Sequence, residues 1–208
     1  MTLPDFLGTS VFVVDDFYER PLAVRKLALS VDYGLRLQRA NYPGRESERS
    51  FPASGIENKF SAILARNVAP FGTGHIYGRF RFALENEQGV TDVHVDESDW
   101  TAVIYLTPSP ELNGGLVFYE HRATGLTGVP DSPELKTLGY KSPAHFESCV
   151  VFPDTKNPDA WRAITLIEFK FNRCVIFRGN RLFHGISSTF GTTLSNARLT
   201  QNFFLREV

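Results

Sequence analysis

Arg198-Leu199-Thr200-Gln201-Asn202-Phe203-Phe204-Leu205 reads as a β-strand that carries its chemistry on one face. Successive side chains of a strand point to opposite sides. Arg198, Thr200, Asn202 and Phe204 therefore share one face, and Leu199, Gln201, Phe203 and Leu205 the other. The same texture recurs upstream, in short β-rich runs at 76–84, 92–96, 102–106, 116–120, 146–152, 164–171 and 174–177, separated by Gly, Pro and Asn clusters. About eight short strands with turn punctuation indicate an antiparallel sandwich or barrel.

The N-terminal third differs. Residues 10–15 read as a short strand, and 16–31 place apolar residues near helical spacing, with Pro21 tolerable in a first turn. The polar loop 41–49 surrounds a Pro-Gly turn, and 55–69 is a second helix candidate. Residues 122–143, rich in Gly, Pro, Ser and Thr, read as a long loop, a common form for a functional lid. The expected architecture is a helical N-terminal layer, within 1–75, packed on a β-sandwich at 76–208. The whole chain, 1–208, is expected to form a single domain.

Composition narrows the function classes. The 208 residues include 18 Phe, which suits a sheet-dominated core, and a formal charge of −1 offers no electrostatic case for nucleic acid or an anionic membrane. No apolar run approaches membrane-spanning length, and residues 1–10 lack the pattern of a secretory leader. Cys149 and Cys174 are too few for a disulfide framework and match no zinc spacing. Two reduced thiols in a cytoplasmic protein are the expectation.

The chemistry begins at His94-Val95-Asp96. On a strand, residues i and i+2 project together, so an imidazole and a carboxylate would sit side by side, able to fill adjacent positions on one metal ion. Alone, His-x-Asp is a common chance pair. His184, after the apolar strand 174–177, is the candidate third ligand, although a histidine in such a place is most often structural. Arg198 changes the balance. A guanidinium aimed into a small sandwich is costly unless an anion neutralises it, and its fork suits a carboxylate. Thr200, on the same face, would add a hydroxyl. Two His and one carboxylate leave three positions of an octahedral ion open, the arrangement of non-haem Fe(II) oxygenases. Zinc hydrolases also use two His and a carboxylate.

His-x-Asp, a distant His and Arg-x-Thr in the final strand resemble the 2-oxoglutarate/Fe(II) dioxygenase superfamily, including its prolyl-hydroxylase-like members. The strand 102–106 with Asn113-Gly114-Gly115 and the approach to His184 through 171–183 are similar as well. Val14-Asp15-Asp16-Phe17-Tyr18 and Tyr42-Pro43-Gly44-Arg45 look like a poorly characterised bacterial subgroup. The resemblance covers 90–208 well and the first 90 residues loosely. It implies a double-stranded β-helix (jelly roll) core and Fe(II) held by His94, Asp96 and His184. It further implies 2-oxoglutarate bound by Arg198 and Thr200 with help from Tyr105, and O₂ as oxidant. The implied reaction yields succinate and CO₂ while oxidising a substrate. Family halogenases replace the carboxylate ligand with a small residue, so Asp96 favours hydroxylation or a related oxidation.

The substrate is expected to be an amino-acid or peptidyl side chain or a small metabolite, with no nucleic acid or membrane partner. Oligomeric state stays open. Competing readings are a cupin-like zinc or manganese enzyme and a non-catalytic jelly-roll binding module. His75, His121, His145, Arg45, Arg49, Trp100, Asn172, Asn180 and Arg181 have ordinary structural readings and are not placed in the site.

Overall fold

In a computed structural model that describes residues 7–34, 42–108 and 113–208, two antiparallel sheets face each other. Residues 1–6, part of the stretch read for a leader, and Asn41 of the polar loop lie outside the described residues. The larger sheet runs β1(Val11–Val14), β8(Cys174–Phe177), β5(Trp100–Tyr105), β10(Arg198–Glu207), β4(Tyr77–Ala83), β2(Arg45–Glu46), with β3(Val68–Pro70) on the far end of β10. The smaller sheet is β7(Trp161–Ile167), β6(Leu116–His121), β9(His184–Ile186). This is the expected jelly roll.

Its layers follow from the alternation. The Leu199, Phe203 and Leu205 side of β10 packs outward beneath α1(Pro21–Ala28) and α2(Ile56–Leu64). In α2, Ile56, Phe60 and Leu64 repeat every four residues and form the buried stripe. Phe60, Phe80 and Phe203 are fully buried in this layer, and each such side chain contributes about 1.5–3 kcal/mol. The inward faces meet in a second core that includes Tyr105, Leu116, Phe118, Ile167, Val175 and Phe177. The expected helical layer on a β-sandwich is present.

Several expected boundaries shift. Residues 146–152 are not a strand: α4(Pro143–Phe146) continues into a π-helical turn, Glu147–Val151, and then α5(Phe152–Asp154). Phe146, Val150 and Val151 pack to one side, onto Trp161 and Phe183. Helical spacing, not alternation, governs that short apolar run. Residues 122–143 are not loop throughout, because Asp131 caps α3(Ser132–Thr137) by accepting from the Glu134 N–H. The second helix stops at Leu64, where Ala65 turns left-handed (φ 52°), which frees 68–70 to pair with β10. Residues 92–96 are not a strand: they bend at 92–93 and form only an isolated bridge, His94 to His184.

Candidate metal centre

The bridge that replaces the expected strand is what assembles the site. His94 N–H donates to the His184 carbonyl and His184 N–H to that of His94, both at 3.0 Å. Two backbones locked in this way hold their rings together, with centroids 4.4 Å apart. Val93 and Val95 pack away from the site, so the local alternation survives without a ladder. Asp96 is fixed by its own N–H on the Gly179 carbonyl at 2.9 Å. Glycine is required there, since a Cβ at position 179 would lie 2.4 Å from Thr101 Oγ1.

The three side chains converge. Asp96 Oδ1 lies 3.7 Å from His94 Nε2, and Oδ2 lies 3.3 Å from His184 Nε2. Suitable ligand atoms of all three fall within 4.8 Å of one another. Adjacent ligands about 2.1 Å from one octahedral ion stand about 3 Å apart, so small side-chain adjustments suffice. Both His Nδ1 atoms face carbonyls, of Asp92 at 3.2 Å and of Leu182 at 2.8 Å. A carbonyl only accepts, which places the proton on Nδ1 and leaves Nε2 a free lone pair in the neutral ring. Burial, then the nearby His184, pushes His94 down to about 4. Burial alone would raise Asp96, but His184, His94 and the Thr101 hydroxyl hold its carboxyl well below the usual range. Imidazoles that turn Nε2 toward an ionised carboxylate are the arrangement a metal requires.

Two hydroxyls clamp the carboxylate. Thr101 donates to Oδ2 at 2.5 Å and Tyr42 to Oδ1 at 2.9 Å. The Tyr42 ring also stands 4.8 Å from that of His94. Neither hydroxyl belongs to the pattern that singled out the triad. Tyr42-Pro43-Gly44-Arg45 was visible only as a resemblance, and nothing in the sequence aimed its hydroxyl at Asp96.

Arg198 is 5% exposed and opens into the same cavity of about 780 Å³. Its Nε donates to the Gly114 carbonyl at 2.7 Å, where the backbone takes a φ of +98° open to glycine. Among the described residues no carboxylate lies within ion-pair distance of it. The guanidinium stands 5.7 Å from the centre of the Tyr105 ring, and Tyr105 Oη is buried without a hydrogen-bond partner. Thr200 lies on the same face and is fully buried, with its hydroxyl making a long 3.4 Å bond to the Arg81 carbonyl. The residues kept out of the site have other duties. Trp100 is buried and donates to Glu207, His75 pairs with Glu97 at the surface, and His145 caps its own turn. Asn172 braces Tyr18 through two bonds.

Residues 6–205 match a family described as "Family of unknown function (DUF6445)". The chain belongs to the DUF6445 family. No curated protein matches this DUF6445 chain. Among solved structures it is similar to HygX from Streptomyces hygroscopicus, determined with nickel, 2-oxoglutarate and hygromycin B bound. That match has a TM-score of 0.51 and 14% identity over 96% of this chain and 84% of that one. An oxidoreductase of the 2OG-Fe(II) oxygenase family from Burkholderia pseudomallei matches at 0.50, with 9% identity over 95% and 84%. SnoN, the non-heme alpha ketoglutarate dependent epimerase from nogalamycin biosynthesis, matches at 0.52, with 13% identity over 94% and 78%. The DUF6445 chain thus has the fold of the 2-oxoglutarate/Fe(II) oxygenases. No helix among its described residues is long and apolar enough to cross a membrane.

Proposed function

We propose that this protein is an Fe(II)- and 2-oxoglutarate-dependent oxygenase that hydroxylates a small molecule or an amino-acid or peptidyl side chain. The observation that carries this is one cavity holding both a His-Asp-His cluster, its Asp96 and His184 buried, and a buried arginine with no carboxylate within ion-pair distance among the described residues. The donor set suits iron, and the buried guanidinium beside the unpartnered Tyr105 hydroxyl suits a carboxylate. His94, Asp96 and His184 would hold the metal. Arg198 and Tyr105 would bind the distal carboxylate of 2-oxoglutarate, with Thr200 joining them by turning its hydroxyl from the Arg81 carbonyl. When bound, iron, 2-oxoglutarate and O₂ supply decarboxylation to succinate coupled to substrate oxidation.

The protein's own work is placement. Nδ1–H bonds to backbone carbonyls orient both imidazoles, and the Thr101 and Tyr42 hydroxyls fix the plane of Asp96. Val103, Leu116 and Phe177 are apolar parts of the same cavity lining, which would help keep water from the carboxylate contact. The test is an anaerobic Fe(II) titration with and without 2-oxoglutarate, followed by visible absorption. A charge-transfer band that needs both components is expected. Absence of the band, with zinc retained through purification, would transfer the protein to the cupin-like metalloenzymes.

A further inference from the structure

A second cationic cluster, which the cosubstrate does not require, borders the cavity through Arg81. Arg79 and Arg81 alternate with Phe80 and Phe82 on β4, so the phenylalanines pack into the helical layer and both guanidinium groups turn the other way. Register places Arg81 opposite Thr200 and Arg79 opposite Asn202, on the face of β10 that carries Arg198. Arg81, whose side chain is 14% exposed, lines the cavity together with Asn202. Its guanidinium lies 5.2 Å from the centre of the Tyr42 ring, and that ring leans on His94. Arg81 is therefore one aromatic ring away from the metal cluster.

Among the described residues, this cluster is not electrically balanced. Glu46 on β2 pairs with Arg81 and reaches Arg79 at 3.9 Å, so two guanidinium groups share one carboxylate. Arg81 directs one further bond to the Pro43 carbonyl at 3.3 Å. A guanidinium offers five N–H donors, which leaves capacity toward the cavity. In the proposed holoenzyme, Asp96 and 2-oxoglutarate together carry three negative charges, against two on iron and one on Arg198. That inner set sums to neutrality. Among the described residues of the Arg79, Arg81 and Glu46 cluster one positive charge then remains, on a partly buried surface where screening is weak, while Glu87, Asp92 and Lys156 line other parts of the cavity.

We propose that Arg81, backed by Arg79 through their shared Glu46, is the anchoring subsite for a carboxylate on the prime substrate, so that this enzyme oxidises small organic acids, amino acids included. The inference rests on the oxygenase reading and deepens it by naming the substrate class. A single residual charge fits a carboxylate better than a phosphate dianion. The planar fork of Arg81, steadied by Glu46 and by the Tyr42 ring, gives that carboxylate a fixed orientation relative to the metal.

The test observes isotope-labelled arginine Nε resonances by NMR in the full-length protein loaded with Zn(II) and saturating 2-oxoglutarate. The Arg81 signal is assigned with Arg81→Lys. Propionate, propionamide and inorganic phosphate are then titrated separately. Propionate is expected to shift the Arg81 resonance saturably, and propionamide to bind about tenfold or more weakly, since it lacks the charge. Glu46→Gln, which removes the competing carboxylate while keeping the shape, is expected to tighten propionate binding. Equal responses to acid and amide, or phosphate binding tighter than propionate, would overturn the inference. The oxygenase reading is scored separately in the same sample: 2-oxoglutarate must move the Arg198 resonance before any propionate is added.

Discussion

Among the described residues histidine meets aspartate at two places in the interior or its margin, and the two are arranged differently. In the first, His94 and His184 each point Nδ1 at a backbone carbonyl, so both Nε2 atoms face Asp96 across open cavity space. In the second, His121 is only 4% exposed, but Nδ1 meets the Thr124 hydroxyl at 3.1 Å and Nε2 meets Asp154 at 3.0 Å. Both nitrogens of His121 are engaged, and its ring lies 4.9 Å from that of Trp161. No lone pair remains for a metal, and the pair instead ties β6 to the short helix α5, next to Thr155. Residue types do not distinguish the two sites. What each ring's second nitrogen touches does.

The sharpest way to break this contrast is deletion. Asp96→Ala or His184→Ala is expected to abolish stoichiometric Fe(II) binding, while His121→Ala retains it; metal analysis after anaerobic loading decides. Iron retained by the triple substitution of His94, Asp96 and His184 would end the assignment of the first site. Next in size is Arg198→Ala. Truncating one partner of a buried charge contact costs about 2–5 kcal/mol, so 2-oxoglutarate affinity should fall about thirtyfold or more with Fe(II) binding intact. Calorimetric titration of the metal-loaded variant provides the measurement, and unchanged affinity would remove Arg198 from the cosubstrate site.

The second site should answer in stability instead. His121→Ala leaves a buried network without its centre and is expected to lower unfolding free energy by about 1–3 kcal/mol in urea, with metal affinity unaffected. The pH dependence has a defined sign. The hydrogen bond from His121 holds Asp154 below the usual carboxylate range. Its contribution is therefore complete above about pH 4 and is lost as pH falls through the lowered value. The urea midpoints of wild type and His121→Ala should accordingly converge on acidification. Divergence there would mean that Asp154 is not the partner that matters.

Sequence reasoning reached the first site and missed its surroundings for identifiable reasons. His94, Asp96 and Arg198 were readable because period-2 alternation is a local rule, and it holds at 93–96 even though a bridge stands in place of a strand. The run 146–152 misled because a short apolar segment fits either a strand or a helix, and here packing onto Trp161 and Phe183 selected the helix. Tyr42, Glu46 and Thr101 reach the site through register and chain return. The Glu46–Arg81 and Thr200–Arg81 pairings join segments far apart in sequence, and one residue of slip would turn each side chain to the opposite face. Arg79 and Arg81, alternating with phenylalanines within 76–84, carried a usable signal: two arginines on one face of a strand bound for the core.

The smallest expected effect tests whether the clamp on Asp96 is part of the first site or merely adjacent to it. Thr101 donates to Oδ2 and is itself held by Ser98 at 2.9 Å, inside a pocket shaped by Gly179. Thr101→Val keeps the shape and removes one donor, leaving Tyr42 as the hydroxyl on the carboxylate. Outer contacts of this kind typically alter metal affinity by about 10–100-fold. The lower bound applies here because Oδ1 stays fixed, which gives about tenfold weaker binding, or about 1.4 kcal/mol. Titration with Co(II), whose visible spectrum reports ligand geometry, separates the possibilities. Weaker binding with an altered spectrum would show Thr101 orienting the ligand. Unchanged affinity and spectrum would mean that the bridge between His94 and His184 already fixes the centre, and that the difference from His121 lies in backbone geometry alone.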